Sequence, residues 1–250
     1  MQTKLTFITK GKGVPVVFVH GFSLDSHMWQ PQVDYFTKTN QVITYDIRGF
    51  GKSELPNGSY SHVEDLRELL TSLNIDKAHI VGLSLGGEVA IDYVLTYPDT
   101  VLSLTLADTS LGGYASTVDW RVYAKKQGLE RAKQNWLSHT VFAPSNRNPE
   151  VAKQLKAMVE DYSGWHWLNE DPRIKLDPPA KDRLSEIKVP TQIILGELDL
   201  PYYHDIAKIL TDKVANSKLH IIKDSGHMTN LEKTQEFNSI LGNFVINNSF

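Results

Sequence analysis

A run of strand-forming residues, His79-Ile80-Val81, passes into Gly82-Leu83-Ser84-Leu85-Gly86 and then directly into Gly87-Glu88-Val89-Ala90, which opens a helix. A strand that turns into a helix within so few residues must bend sharply at the serine. A side chain at position 82 or 86 would then strike the neighbouring backbone, so glycine is needed on both sides. Strain of this kind concentrates at functional sites. The turn also sets Ser84 at a helix N-terminus, where the Leu85 N–H and the helix dipole can stabilise developing negative charge. Alone, the five-residue pattern arises by chance in roughly one chain in ten of this size. Its reading as a catalytic serine therefore depends on the partners found elsewhere in the chain.

A serine nucleophile needs a base. Lys218-Leu219-His220-Ile221-Ile222 reads as a short buried strand, and Lys223-Asp224-Ser225-Gly226-His227 is the loop leaving it. A histidine just past the carboxyl end of a parallel strand can reach a serine at the same edge of the sheet. An imidazole with an ordinary pKa near 6.5 suits proton transfer at neutral pH. His227 is the expected base. Its second ring nitrogen calls for a carboxylate lying between serine and histidine in sequence. Val189 to Leu195 is another apolar strand, followed by Gly196-Glu197-Leu198-Asp199, which makes Asp199 the leading acid. Glu197 in the same loop and Asp108, after the strand Leu102 to Ala107, are its rivals.

An oxyanion needs two donors. The strand Val14 to Val19 ends in His20-Gly21-Phe22-Ser23, where Gly21 lets the chain turn so that the Phe22 N–H faces the serine alongside that of Leu85. His20 is expected to hold this loop through its ring nitrogens.

Taken together, His20-Gly21-Phe22, Asp46-Ile47-Arg48-Gly49-Phe50-Gly51-Lys52-Ser53, Gly82 to Gly86, Gly196 to Asp199 and Ser225-Gly226-His227 resemble the α/β-hydrolase fold family over nearly the whole core. The resemblance implies a mostly parallel, doubly wound sheet of eight strands with helices on both faces, and a triad of Ser84, Asp199 and His227. Only one strand-like run, Leu5 to Thr9, precedes the strand that leads to His20, so seven strands are also open. Strands and helices alternate as such a sheet requires until about Leu111. From there to about Ser185 the pattern is helical and rich in aromatics: Trp120, Tyr123, Trp136, Phe142, Tyr162, Trp165 and Trp167. Residues 111–185 are expected to form a helical cap over the site, inserted late in a core made of residues 1–110 and 186–250.

The 250 residues are 41% hydrophobic with a net charge of −3, enough for one sizeable core and without the basic surface of a nucleic-acid binder. No apolar run approaches a membrane span and the first residues lack an apolar leader region, so a cytoplasmic location is the expectation. Cysteine is absent, which excludes thiol catalysis. Gly51-Lys52-Ser53 mimics the end of a phosphate-binding loop, but Asp46 stands where that motif needs its first glycine. Neither a cofactor nor a metal is expected.

The expected reaction is hydrolysis of a small-to-medium, mostly apolar carboxylic ester or lactone through a covalent serine ester. Leu24, Met28, Trp29, Met228, Trp165 and Trp167 are expected to form the substrate wall together with Phe22 and Leu85. Serine at the nucleophile position argues against the dehalogenases and epoxide hydrolases of the family, which need aspartate there. Carbon–carbon bond hydrolysis, acyl transfer and perhydrolysis use the same triad. A ligand receptor with residual turnover is the alternative of a different class.

Overall fold

The computed structural model describes residues 4–114 and 119–249. Seven strands form one sheet: β1 (Phe7–Lys10), β2 (Pro15–Val19), β3 (Gln41–Tyr45), β4 (Ala78–Leu83), β5 (Val101–Ala107), β6 (Thr191–Gly196) and β7 (Ser217–Ile222). Their order across the sheet is β1-β3-β2-β4-β5-β6-β7, parallel throughout except for β1, which runs antiparallel to β3. The sheet thus has seven strands, the smaller of the two expected numbers. β4, which delivers Ser84, lies at its centre.

Side chains alternate across a strand, so a sheet covered on both faces needs apolar residues at both parities. β2 shows the division. Val17 and Val19 point into one apolar cluster with Ile43, Ile80, Leu104 and Ile193, while Val16 and Phe18 point into the other with Val42, Val81 and Ile194. The first cluster is closed by helices α2 (His62–Ser72), α3 (Leu85–Thr96) and α8 (Pro201–Lys213), the second by α1 (Gln30–Phe36) and α10 (Thr234–Asn247). Every residue of β4 is buried, as a central strand between two helical layers demands. β7 departs from the buried strand expected: only Ile222 is buried, and Ile221 stands 52% exposed. As the edge strand, β7 pairs with β6 alone.

Between β5 and β6 the chain leaves the sheet and forms α4 (Trp120–Gln127), α5 (Leu129–Leu137), α6 (Pro149–Asp161) and α7 (Trp165–Leu168), with short 3-10 turns between and after them. Among the described residues this insertion holds no strand. Among the described residues its one β contact is an isolated bridge from Arg173 to Tyr60. The chain returns through β6, α8 and β7 to α9 (Thr229–Glu232) and α10. None of the described helices is long and apolar enough to cross a membrane.

Candidate active site

Ser84 follows β4 and caps α3 with φ 54° and ψ −118°, a conformation that side chains larger than glycine rarely adopt. The surroundings over-determine it. A Cβ on Gly82 would run into the Gly86 carbonyl, and one on Gly86 into the Val19 carbonyl of the adjacent strand. The Ser84 N–H donates to the Ala107 oxygen, and its own carbonyl accepts from the N–H groups of Gly87, Glu88 and Ser110. The turn is thereby tied to both β5 and the helix it starts.

His227 and Asp199 meet as the chain order anticipates, with His227 Nδ1 2.9 Å from Asp199 Oδ2 and both side chains buried. The other Asp199 oxygen accepts from the Leu200 N–H at 2.7 Å, which fixes the carboxylate plane. Glu197 faces away, exposed, and accepts from the Asp224 N–H. Asp108 sits beneath both loops: Oδ1 accepts from the Gly196 N–H and Oδ2 pairs with the Thr229 hydroxyl, so it links the ends of the segments that carry Asp199 and His227. Burial, reinforced by the Asp199 charge, raises its carboxyl well above the usual carboxylate range. The His227 loop has a second brace in Glu232, which accepts from Gly226 N–H, the Ser225 hydroxyl and Met228 N–H.

Tyr203, in the first turn of α8, has no precedent in the sequence reading. Its ring lies 4.1 Å from that of His227, centroid to centroid, and it lines the same cavity as Ser84. Burial and the Asp199 charge raise its pKa, so the phenol stays protonated. An apolar-polar pattern on a helix says that Tyr203 faces inward, but not that its ring meets that of His227.

The loop after β2 is fixed by His20, whose Nδ1–H donates to the Gly21 oxygen and whose Nε2 accepts from the Ile47 N–H, both at 2.8 Å. Burial lowers its pKa, in keeping with the neutral ring that this bonding requires. Asp46 accepts from the Ser26 and Lys52 N–H groups and closes the same corner. Among the described residues, no protein acceptor is bonded to the N–H of Phe22 or of Leu85. The Phe22 ring is the pivot between core and insertion, within 5.4 Å of Phe50, 5.8 Å of Tyr162 and Trp167, and 6.3 Å of Trp136.

These elements open on one cavity of about 850 Å³, bounded by Ser84 and His227 below and by the insertion above. That volume is within the range of small-molecule sites. Phe22, Leu24, Leu85, Met228 and Trp167 line it. Met28, Trp29 and Trp165 do not. The 3-10 turn at Ser26–Trp29 faces the sheet, so Trp29 packs on Phe18 and Phe237 and the Met28 sulfur accepts from the Gly21 N–H. Trp165 lies edge-on against His166. The wall also includes Trp120, Trp136, His139 and Tyr202, which sequence periodicity could not separate from core aromatics. Among the described residues, no cluster of three His, Asp or Glu side chains is arranged to hold a metal ion.

The comparisons with known proteins agree with this architecture. Over 241 residues the chain is 27% identical to 3-oxoadipate enol-lactonase 1 of Acinetobacter baylyi, spanning 92% of this chain and 88% of that one. A solved N-acyl homoserine lactone degrading enzyme is 31% identical with a TM-score of 0.82 and 97% coverage of both chains. The enol-lactonase of Burkholderia xenovorans is 25% identical with a TM-score of 0.83, covering 98% of this chain and 97% of that one. A family model described as alpha/beta hydrolase fold matches residues 14–234, and the protein is a member of that family of hydrolytic enzymes.

Proposed function

We propose that this protein is a serine hydrolase that cleaves a carboxylic ester or lactone, with Ser84 as nucleophile, His227 as base and Asp199 as the orienting acid. The observation that carries this reading is the 2.9 Å pairing of buried His227 and Asp199 at the cavity into which the strained Ser84 turn opens. Asp199 holds the Nδ1–H tautomer, which leaves Nε2 to accept the serine proton as the hydroxyl oxygen attacks the carbonyl carbon. The carbonyl π electrons move to oxygen. Phe22 and Leu85, whose N–H groups have no acceptor among the described residues, supply the two donors for that oxyanion. On collapse, the carbon–oxygen bond to the leaving alcohol breaks and His227 returns its proton to it. Water then repeats the sequence on the acyl-serine. For a lactone the alcohol stays tethered and the product is a single hydroxy acid.

Residues 111–185 act in this reading as a cap that shapes the acyl and alcohol sites, carried on a core of residues 1–110 and 186–250. Its support is the shared wall, in which Trp120, Trp136 and Trp167 of the insertion face Ser84 and Phe22 of the core. The test is labelling of Ser84 by a fluorophosphonate probe, followed by a series of alkyl esters and lactones of increasing chain length. Labelling at Ser84 with turnover of esters or lactones is the expected result. Absence of labelling in folded protein would sink the reading, and labelling with turnover confined to vinylogous diketones would move it to carbon–carbon cleavage.

A further inference from the structure

The charged groups around the cavity are unevenly distributed. Two carboxylates, Asp119 and Asp171, belong to the wall, both contributed by the insertion. One guanidinium, Arg121, accompanies them, 40% exposed and 3.8 Å from the Glu170 carboxylate. A further cation of this region, Arg173, is turned into the seam between insertion and core, where its guanidinium meets Glu88 at 2.9 Å. Two histidines of the upper wall, His139 and His166, are neutral at pH 7. Burial lowers both, His166 to about 4, where its ring is stacked 4.3 Å from Phe50 and bonded to the Tyr162 hydroxyl. Residues 115–118, between the described segments, are Ala, Ser, Thr and Val, so they add no charge. Below the wall lies the buried carboxylate of Asp199.

Both wall carboxylates are committed to structure. Asp119 accepts from the Arg121 and Val122 N–H groups at the start of α4, and Asp171 accepts from the Tyr60 hydroxyl and the Arg173 N–H. A carboxylate entering with the substrate would give up its hydration against an aromatic wall. It would meet two fixed negative charges and one cation already shared with Glu170. The oxyanion that forms at Ser84 is matched by the imidazolium that forms on His227, so the standing charges of the wall and of Asp199 set the sign of the site.

We propose that this cavity takes esters and lactones with uncharged acyl and alcohol groups and turns away those that carry a carboxylate. The inference rests on the ester or lactone reading of the same site and adds a charge rule to it. Three p-nitrophenyl esters of equal acyl backbone test it on the whole protein: the hexanoate, the hydrogen adipate with a terminal carboxylate, and the methyl adipate in which that charge is masked.

A kcat/KM for the hydrogen adipate at least about tenfold below the hexanoate, with the larger methyl adipate restored to within about threefold, is the expected pattern. A hydrogen adipate rate less than tenfold below the hexanoate would overturn the inference while leaving the ester reading intact. Failure of all three esters together with absence of Ser84 labelling would instead remove the ester reading itself. The double variant Asp119→Asn/Asp171→Asn keeps acceptors for the same N–H and hydroxyl donors. It should narrow the hexanoate-to-hydrogen-adipate ratio by about threefold or more, an effect that weakens with added salt. An unchanged ratio in the folded variant would mean that these two carboxylates do not set the selectivity.

Discussion

The sheet core and the helical insertion solve different problems with different chemistry. In the core, backbone geometry decides where functional groups stand: the parity of β2 sends Val17 and Phe18 to opposite clusters, and the glycines around Ser84 leave it one turn to adopt. In the insertion, aromatic rings decide. Phe50 stacks on His166 and Tyr162, Trp120 on Trp167, and Phe22 touches four aromatics of the insertion. The core therefore carries groups whose positions tolerate little change. The insertion presents a wall that, on the proposed reading, can be re-cut while the chemistry beneath is left standing.

The sharpest way to break that division is at Ser84, the proposed nucleophile. Ser84→Ala should lower kcat by about 10⁴ to 10⁶, because the covalent route goes while oxyanion donors and binding remain. Alanine carries the same Cβ, so the turn should survive and the melting temperature stay near that of the parent. Steady-state kinetics with a thermal melt of the same sample measures both. Activity within tenfold of the parent in folded protein would place the chemistry elsewhere.

A second contrast lies wholly within the core. Asp199→Asn should cost about 10⁴ in kcat by presenting the wrong group to His227 Nδ1 and losing the tautomer. Asp108→Asn should cost far less in kcat. An amide can still accept from the Gly196 N–H and donate to the Thr229 hydroxyl, and replacing a carboxyl that burial already disfavours as an anion removes little charge. Reversal of that ranking in kcat would assign the acid to β5 instead of β6.

What could be read from the sequence follows the same boundary. Ser84, Asp199 and His227 are each announced locally, by a strand, a turn residue and a loop in the right chain order, and the structure brings the latter two into hydrogen-bond contact. The seven-strand alternative was visible in the single run before the strand that leads to His20. Tyr203, Glu232 and the bracing role of Asp108 were not visible, because each acts through a partner distant in sequence or through a backbone N–H that has no residue signature. Trp29 misled for a related reason: next to the loop that holds Phe22, it is apolar and large, but the 3-10 turn aims it at Phe18 and Phe237.

The insertion can be probed with two tryptophans that the sequence could not tell apart. Trp167→Phe should shift the preference between short and long acyl chains by about tenfold, since Trp167 forms part of the cavity wall and loses a ring there. Trp165→Phe, on the far side against His166, should leave that preference unchanged. Labelling of Ser84 by a small phosphonate should stay near the parent rate in both. Loss of labelling in Trp167→Phe would show that the insertion supports the core's chemistry as well as the shape of the site.

The smallest expected effect on turnover sits at the seam itself, and it is read in stability. Asp92, on α3, has an Oδ1 shut off from solvent without a hydrogen-bond partner among the described residues, beside the Glu88–Arg173 pair that joins core to insertion. Burial, then the Glu88 charge, raises its carboxyl from 3.8 to about 7. An acid whose pKa is higher folded than unfolded binds its proton more tightly in the native state. Its contribution is therefore fully present below about pH 4, declines as pH rises toward 7, and is lost above that. At about 1.4 kcal/mol per pKa unit the loss is a few kcal/mol at most. Asp92→Asn removes the titrating group, so urea melts at pH 5 and pH 8 should differ less in the variant than in the parent, with the variant gaining more at pH 8. A variant whose stability still falls as steeply between those pH values would locate the titration in another group and leave the seam indifferent to Asp92.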